Sequence, residues 1–345
     1  MRQSRPRSLF WPGSVAALVL LALAGLALGS ASLPVSDVLA ALISRGDAST
    51  IAIVQSLRLP RVVLAALVGA GLGMAGAALQ GSLRNGLAEP YLLGVSGGAA
   101  VGAVLAVALG LTHPAALPLA AFAGAMAAVI VTLGVARAAG GDWGIGRGRK
   151  SGGAIAWRAD PRVLLMAGVI VGAFANAAIM VVLAGAAPDS VRGALWWMMG
   201  SLAGANWNAV QWLVAYTAAG GIALLSLARD IDVLTLGEEP AAALGLDVER
   251  AAGRVFVVSS LIAAATVAAA GLIGFVGLVV PHMARSAGVQ SHRLLIAGSA
   301  VAGAALVVAA DLAARTLRSP AELPLGAVTA LVGVPFFLFQ LRRLT

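Results

Sequence analysis

The sequence contains no cysteine. Disulfides, thiolate metal sites and cysteine nucleophiles are therefore excluded. Histidine is nearly as scarce, with only His113, His282 and His292. Their scatter suggests no metal cluster, so no metal site is assigned. Charge is the next shortage. Only 11% of the residues are charged, against about 25% in soluble domains. So few polar groups cannot cover the surface of a soluble enzyme of 345 residues. No Ser-His or paired-Asp constellation stands out, so no catalytic residue is assigned.

What is present is apolar. Hydrophobic residues make up 60% of the chain, and mean hydropathy is +0.97. These residues form continuous runs. That excludes disorder, and it excludes a β-barrel, whose strands would alternate over about ten residues. A bilayer-crossing helix takes about 20 apolar residues, so a chain of this length supports about ten spans. The sequence predicts an all-α polytopic membrane protein, with candidate helices at 12–31, 59–82, 92–111, 115–136, 162–185, 207–228, 250–271, 275–287, 294–312 and 323–341. The eighth is short for a span. The first, preceded by Arg2, Arg5 and Arg7, also has features of a signal peptide, but it is long for one.

With both termini cytoplasmic, the outer side receives only Arg45, Arg58, Arg61, Arg192, Arg315 and Arg318 of the 23 Lys and Arg. The rest lie inside, as the positive-inside rule requires. The net charge of +9 thus reflects orientation, and no nucleic-acid partner is implied. Residues 138–160, rich in glycine and basic side chains, are expected to form a flexible cytoplasmic loop. Their GIGRGRKS lacks the glycine that a phosphate-binding loop places directly before Lys150.

Glycines at 69, 71, 73 and 76, and at 94, 98 and 102, mark helix faces that permit close backbone approach. A glycine face toward a wide pathway is the alternative. Ionisable groups inside the spans are nearly missing, apart from Asp311 and His282. Carriers driven by protons or voltage usually need them, so the energy is expected from elsewhere. Residues 188–204 suit a half-helix at the outer mouth, with Asp189 or Ser190 as its cap.

The most acidic stretch is RDIDVLTLGEEPAAALGLDVER, residues 229–250. Glu238 and Glu239 begin a short helix, Pro240 fits its first turn, and Gly245 ends it. This is either a capped connector or a knob for a cytoplasmic subunit.

Glu239 to Gly245 resembles the Glu-Ala-Ala-three-Gly loop of ABC importer permeases, with Pro240 at the second position. RNGLAEPYLLGVSGGAAVGAV (84–104), WWMMGSLAGANW (196–207), GLIGFVGLVVPHMAR (271–285), ADLAARTL (310–317) and PAELPLGAVTALVGVPFFLF (320–339) extend the likeness. The chain resembles, from about residue 58 onward, the iron-siderophore, haem and cobalamin permease family of type II ABC importers. Gly86 departs from the family's usual proline, and the 138–160 loop is longer than usual.

The resemblance implies one transmembrane domain over residues 1–345, working as a homodimer in a bacterial inner membrane. It implies two ABC ATPase subunits inside and a periplasmic or lipid-anchored binding protein outside. The chain is then no enzyme and carries no cofactor, since ATP and Mg belong to the ATPase. The implied cargo is a metal chelate, ferric siderophore first, with haem or cobalamin as alternatives. An ion-coupled carrier is a distant rival. By the same resemblance Arg58, Arg61 and Arg315 dock the binding protein. Gly237, Glu238, Glu239, Ala242 and Gly245 couple to the ATPase, and Asn85 and Leu87 form a cytoplasmic gate. Trp196, Trp197, Met198 and Met199 belong to the outer-mouth helix.

Overall fold

The computed structural model describes residues 10–29, 31–111, 113, 115–142 and 161–341. Helices account for the fold, and no strand occurs among the described residues. In chain order they are α1 (Phe10–Ala27), α2 (Val35–Leu42), α3 (Ala48–Ala52), α4 (Leu59–Ser82), α5 (Val95–Ala108), α6 (Ala116–Asp142), α7 (Pro161–Ala184), α8 (Pro188–Met198), α9 (Trp207–Ser226), α10 (Ala228–Leu234), α11 (Glu238–Ala243), α12 (Val248–Ala270), α13 (Val276–Ser286), α14 (His292–Thr316) and α15 (Leu325–Leu341). A π-helical turn, Ile53–Arg58, joins α3 to α4, and a tight helical turn, Pro90–Leu93, precedes α5.

Seven helical segments are long and apolar enough to cross a membrane: α1, the run 48–82 through α4, α6, α7, α9, α12 and α14. The shorter α5, α13 and α15 occupy the other three predicted positions. The chain is thus the expected polytopic helical protein of about ten spans.

Several boundaries differ from expectation. The second span begins at Ala48, because the π-helical turn continues the helix outward. The third contracts to α5, because Gly94 takes a left-handed φ of +80° just before it. Residues 138–142 belong to α6 rather than to a loop. The rest of the proposed loop, residues 143–160, lies outside the described residues, as do Arg2, Arg5, Arg7, Arg342 and Arg343.

α4 is the most enclosed helix, buried nearly throughout its second half. Its glycines explain why. A Cβ on Gly69 would lie 2.0 Å from the carbonyl oxygen of Gly303 in α14, so only glycine permits this approach. Gly102 of α5 meets Ala120 of α6 at the same distance. These glycine faces are packing surfaces, which overturns the alternative that they line a wide pathway.

α13 spans 11 residues, about 16 Å at the helical rise, half of a hydrocarbon core of about 30 Å. Residues 271–275, which lead into it, are non-helical. Such backbone is tolerated at membrane depth only where protein satisfies its polar groups. Here the Ile273 amide donates to the Tyr91 hydroxyl at 3.1 Å, and the Phe275 amide donates to Glu89 Oε1 at 2.6 Å.

Candidate functional site

The inner end of α4 forms a closed turn. The Arg84 amide donates to Gly81 O at 3.2 Å, and the Asn85 amide donates to Gln80 O at 3.1 Å. This pair of bonds satisfies the last carbonyls of a helix and requires a left-handed residue between them. That residue is Arg84, with φ +49°. Next, Asn85 Oδ1 accepts the Leu87 amide at 2.9 Å, and Asn85 O accepts the Ala88 amide at 3.0 Å. Asn85 thereby shapes the turn, and Leu87 projects from it, 57% exposed. Gln80, buried one turn earlier, donates to Gly277 O and Leu278 O and accepts from Arg285. The turn at 84–88 is thus fastened to α13 and its lead from both sides, through Gln80 and through Glu89.

Glu89 was missed in the sequence, where the spans were read as nearly free of ionisable groups. It falls between the second and third predicted spans, so apolar runs do not mark it as buried. The signal present was its place before Pro90, which favours extended backbone.

The acidic segment folds as predicted. Glu238 opens α11, Pro240 lies in its first turn, and Gly237 precedes it with φ +114°. Gly245, with φ +85°, closes it: its amide reaches Ala242 O, and the Leu246 amide reaches Ala241 O. Ala241 is buried, whereas Glu238, Glu239, Ala242 and Gly245 are exposed. Leu236 and Leu244 add exposed apolar surface. Beneath α11, Asp232 of α10 accepts both the backbone amide and the Nδ1 of His292, at 3.0 and 2.7 Å. This seats α10 on the start of α14. Arg84 Nη2 reaches Glu238 Oε1 at 2.7 Å, so the turn at 84–88 and α11 touch directly.

The outer arginines come together, but facing inward. Arg58 is 7% exposed and donates to the carbonyls of Leu26, Ala27 and Ala31. Arg315, 8% exposed, donates to Gly25 O and pairs with Asp311 at 3.5 Å. Two guanidinium groups thus close the C-terminal end of α1, where free carbonyls favour cations. Arg61 grips Asp311 through Nε and Nη2, and grips both Glu322 oxygens at 2.7 and 2.9 Å. That bidentate contact holds the Glu322 carboxyl below the ordinary carboxylate range. Contrary to expectation, Arg58 and Arg315 present no exposed charge to a docking protein. Arg45, Arg192 and Arg318 are the exposed arginines of this side among the described residues.

A short helix, α8, does form within the 188–204 segment, with one correction to its start. Its cap is Ala187 with Pro188 in the first turn, rather than Asp189 or Ser190. Trp196 and Met199 are exposed, whereas Trp197 and Met198 pack partly inward. Met199 O and Gly200 O accept the amides of Gly326 and Leu325 at 3.0 and 3.1 Å, which ties the end of α8 to the start of α15. No cluster of three or more His, Asp or Glu able to hold a metal occurs among the described residues.

The FecCD transport family model matches residues 17–145 and 153–343. The chain belongs to the FecCD transport family. This is the permease family of type II ABC importers that the sequence resembles, so the chain is a membrane component of a transporter. Over 290 residues it is 41% identical to the cobalamin import permease BtuC of Halobacterium salinarum, covering 84% of this chain and 73% of that one. The hemin transport permease HmuU of Yersinia pestis is 38% identical over 84% of this chain and 82% of its own length. The vitamin B12 import permease BtuC of Salmonella arizonae is 36% identical over 99% and 97%. A solved metal-chelate type ABC transporter in an inward-facing conformation superposes with TM-score 0.82 at 26% identity, covering 98% of this chain and 99% of that one. PsaBC of Streptococcus pneumoniae, in complex with a Fab, has TM-score 0.55 at 16% identity and shares the fold alone.

Proposed function

We propose that this FecCD-family chain is the permease of a bacterial inner-membrane ABC importer for a metal chelate, acting as a homodimer. The observation that carries this reading is the exposed α11, acidic and apolar, in contact with the gate turn through Arg84 and Glu238. Two ABC ATPase subunits dock on α11 and supply ATP and Mg, and this chain needs no cofactor. A binding protein delivers cargo to the outer face. The second copy covers the apolar faces of α7 and α15, where Phe174 and Leu331 are 76% and 75% exposed in the single chain. Asn85 and Leu87 act as the cytoplasmic gate, and α8 lines the outer mouth.

Relatives named for cobalamin and hemin support a tetrapyrrole-type chelate as cargo, ahead of the ferric siderophore expected from the sequence. Docking is assigned to Arg61 alone of the three arginines. Its partner Glu322 is 37% exposed, so a carboxylate of the binding protein can take its place. Arg58 and Arg315 hold α1 beside it.

The test is uptake into proteoliposomes holding the permease, its ATPase and its binding protein. Cyanocobalamin, haemin and a ferric hydroxamate are offered separately. ATP-dependent accumulation of cyanocobalamin or haemin is expected. Accumulation of the ferric hydroxamate alone overturns the cargo, and accumulation driven by a proton gradient without ATP overturns the importer.

A further inference from the structure

Arg84 occupies a backbone position that ordinarily favours glycine. Its turn has the same two closing hydrogen bonds as the turn at Gly245, yet only the latter carries glycine. A β-carbon at left-handed φ crowds the following carbonyl. A helix end that merely had to stop would be served better by glycine. Strain of this kind persists where the side chain has a use. Here the side chain reaches Glu238, the first residue of α11. Both partners are partly exposed, 33% and 46%, and such pairs contribute little to stability. The contact therefore has a positional value. A guanidinium grips a carboxylate with a defined orientation that an ammonium lacks.

We propose that Arg84 is the positioning residue that transmits movement of α11 to the gate. The proposal rests on the reading of α11 as the ATPase dock. Displacement of α11 moves Glu238 and, through it, Arg84. Arg84 also supplies one of the two amides that close the end of α4, and its neighbour Asn85 holds the Leu87 amide. A pull on the guanidinium acts directly on that turn. If the pair opens, Arg84 is free to leave its left-handed conformation, which breaks both closing bonds and releases Leu87. Opening and closing of the pair would give the turn two discrete arrangements, as a switching element requires.

The decisive variant is Arg84→Gly, assayed in the assembled complex with ATPase and binding protein. Glycine suits the left-handed turn, so the melting temperature should hold or rise and the ATPase should still co-purify. Uptake of cyanocobalamin or haemin per ATP hydrolysed should fall about tenfold, within the range typical of coupling between two sites. Arg84→Lys should restore part of it. In a Glu238→Gln background, Arg84→Gly should cause no further loss, because the pair is already broken. Coupling equal to wild type in Arg84→Gly overturns the proposal, as do independent, multiplying losses in the double variant. Failure of the wild-type chain to bind the ATPase overturns the permease reading itself, and the proposal with it.

Discussion

The two ends of α4 are both marked by arginine, and they are built in opposite ways. At the outer end Arg58 and Arg61 are enclosed, and their contacts hold one element to another: α1 to the start of α4, α4 to α14, and α4 to the segment before α15. At the inner end Arg84 is partly exposed, held in a left-handed turn by two hydrogen bonds and one ion pair. The same side chain serves as a fastener where water is excluded and as a linkage where water is present. Burial decides the difference, because an enclosed charge without partners is costly and an exposed one is not.

The largest effect should come from attacking the fastener. Arg58→Glu sets a carboxylate against the carbonyls of Leu26, Ala27 and Ala31. Uncompensated buried charge costs about 3–5 kcal/mol, so the variant should misfold or melt far below wild type when followed by thermal unfolding in detergent. A variant that folds normally and loses only binding-protein docking would reverse the assignment. Next comes the second fastening of the turn at 84–88. Glu89→Leu leaves the Phe275 amide without its acceptor and should lose about 1–3 kcal/mol. Glu89→Gln keeps a carbonyl oxygen there and should lose much less, so equal melting temperatures for the two would count against the contact.

A smaller effect concerns pH. The folded Glu322 carboxyl is held below its ordinary range by Arg61. Its stabilising contribution is therefore complete above the unfolded value of about 4.3 and fades as pH falls toward the lower folded value. The melting temperature of wild type should drop across that acidic window more than that of Glu322→Gln, and parallel curves would exclude the linkage. The smallest effect is expected beside the linkage. A Cβ on Gly86 meets nothing within 4 Å, and its φ lies outside the left-handed range. Gly86→Ala should therefore stabilise by about 0.4–1 kcal/mol through the unfolded chain and leave uptake intact. A clear loss of uptake would show that the turn needs glycine's freedom to move.

This contrast also explains what could be read from the sequence. α11 was legible because its signals are local: Glu238 at the start, Pro240 in the first turn, Gly245 at the end. The spans were legible because a bilayer demands long apolar runs. The arginine cluster was not legible in its true role. Arg61 finds Asp311 and Glu322 at separations of 250 and 261 residues, and Arg58 reaches back 32 residues to Leu26. The i,i+4 spacing of Asp311 and Arg315 is a local signal for their pair, whereas the closer grip of Arg61 on Asp311 has none. The left-handed backbone of Arg84 was not legible either, since nothing in the sequence reports the sign of φ.

The brevity of α13 bears on biogenesis. A segment of 11 residues with a non-helical lead is a poor candidate for entering a bilayer alone, since its exposed amides would meet lipid. The groups that receive those amides, Glu89 and Tyr91, lie some 180 residues earlier in the chain. They are synthesised first and can receive residues 271–275 as these emerge. A defect in residues 84–94 would then be expected to show first as failure to integrate the chain from residue 271 onward, the last fifth of the protein.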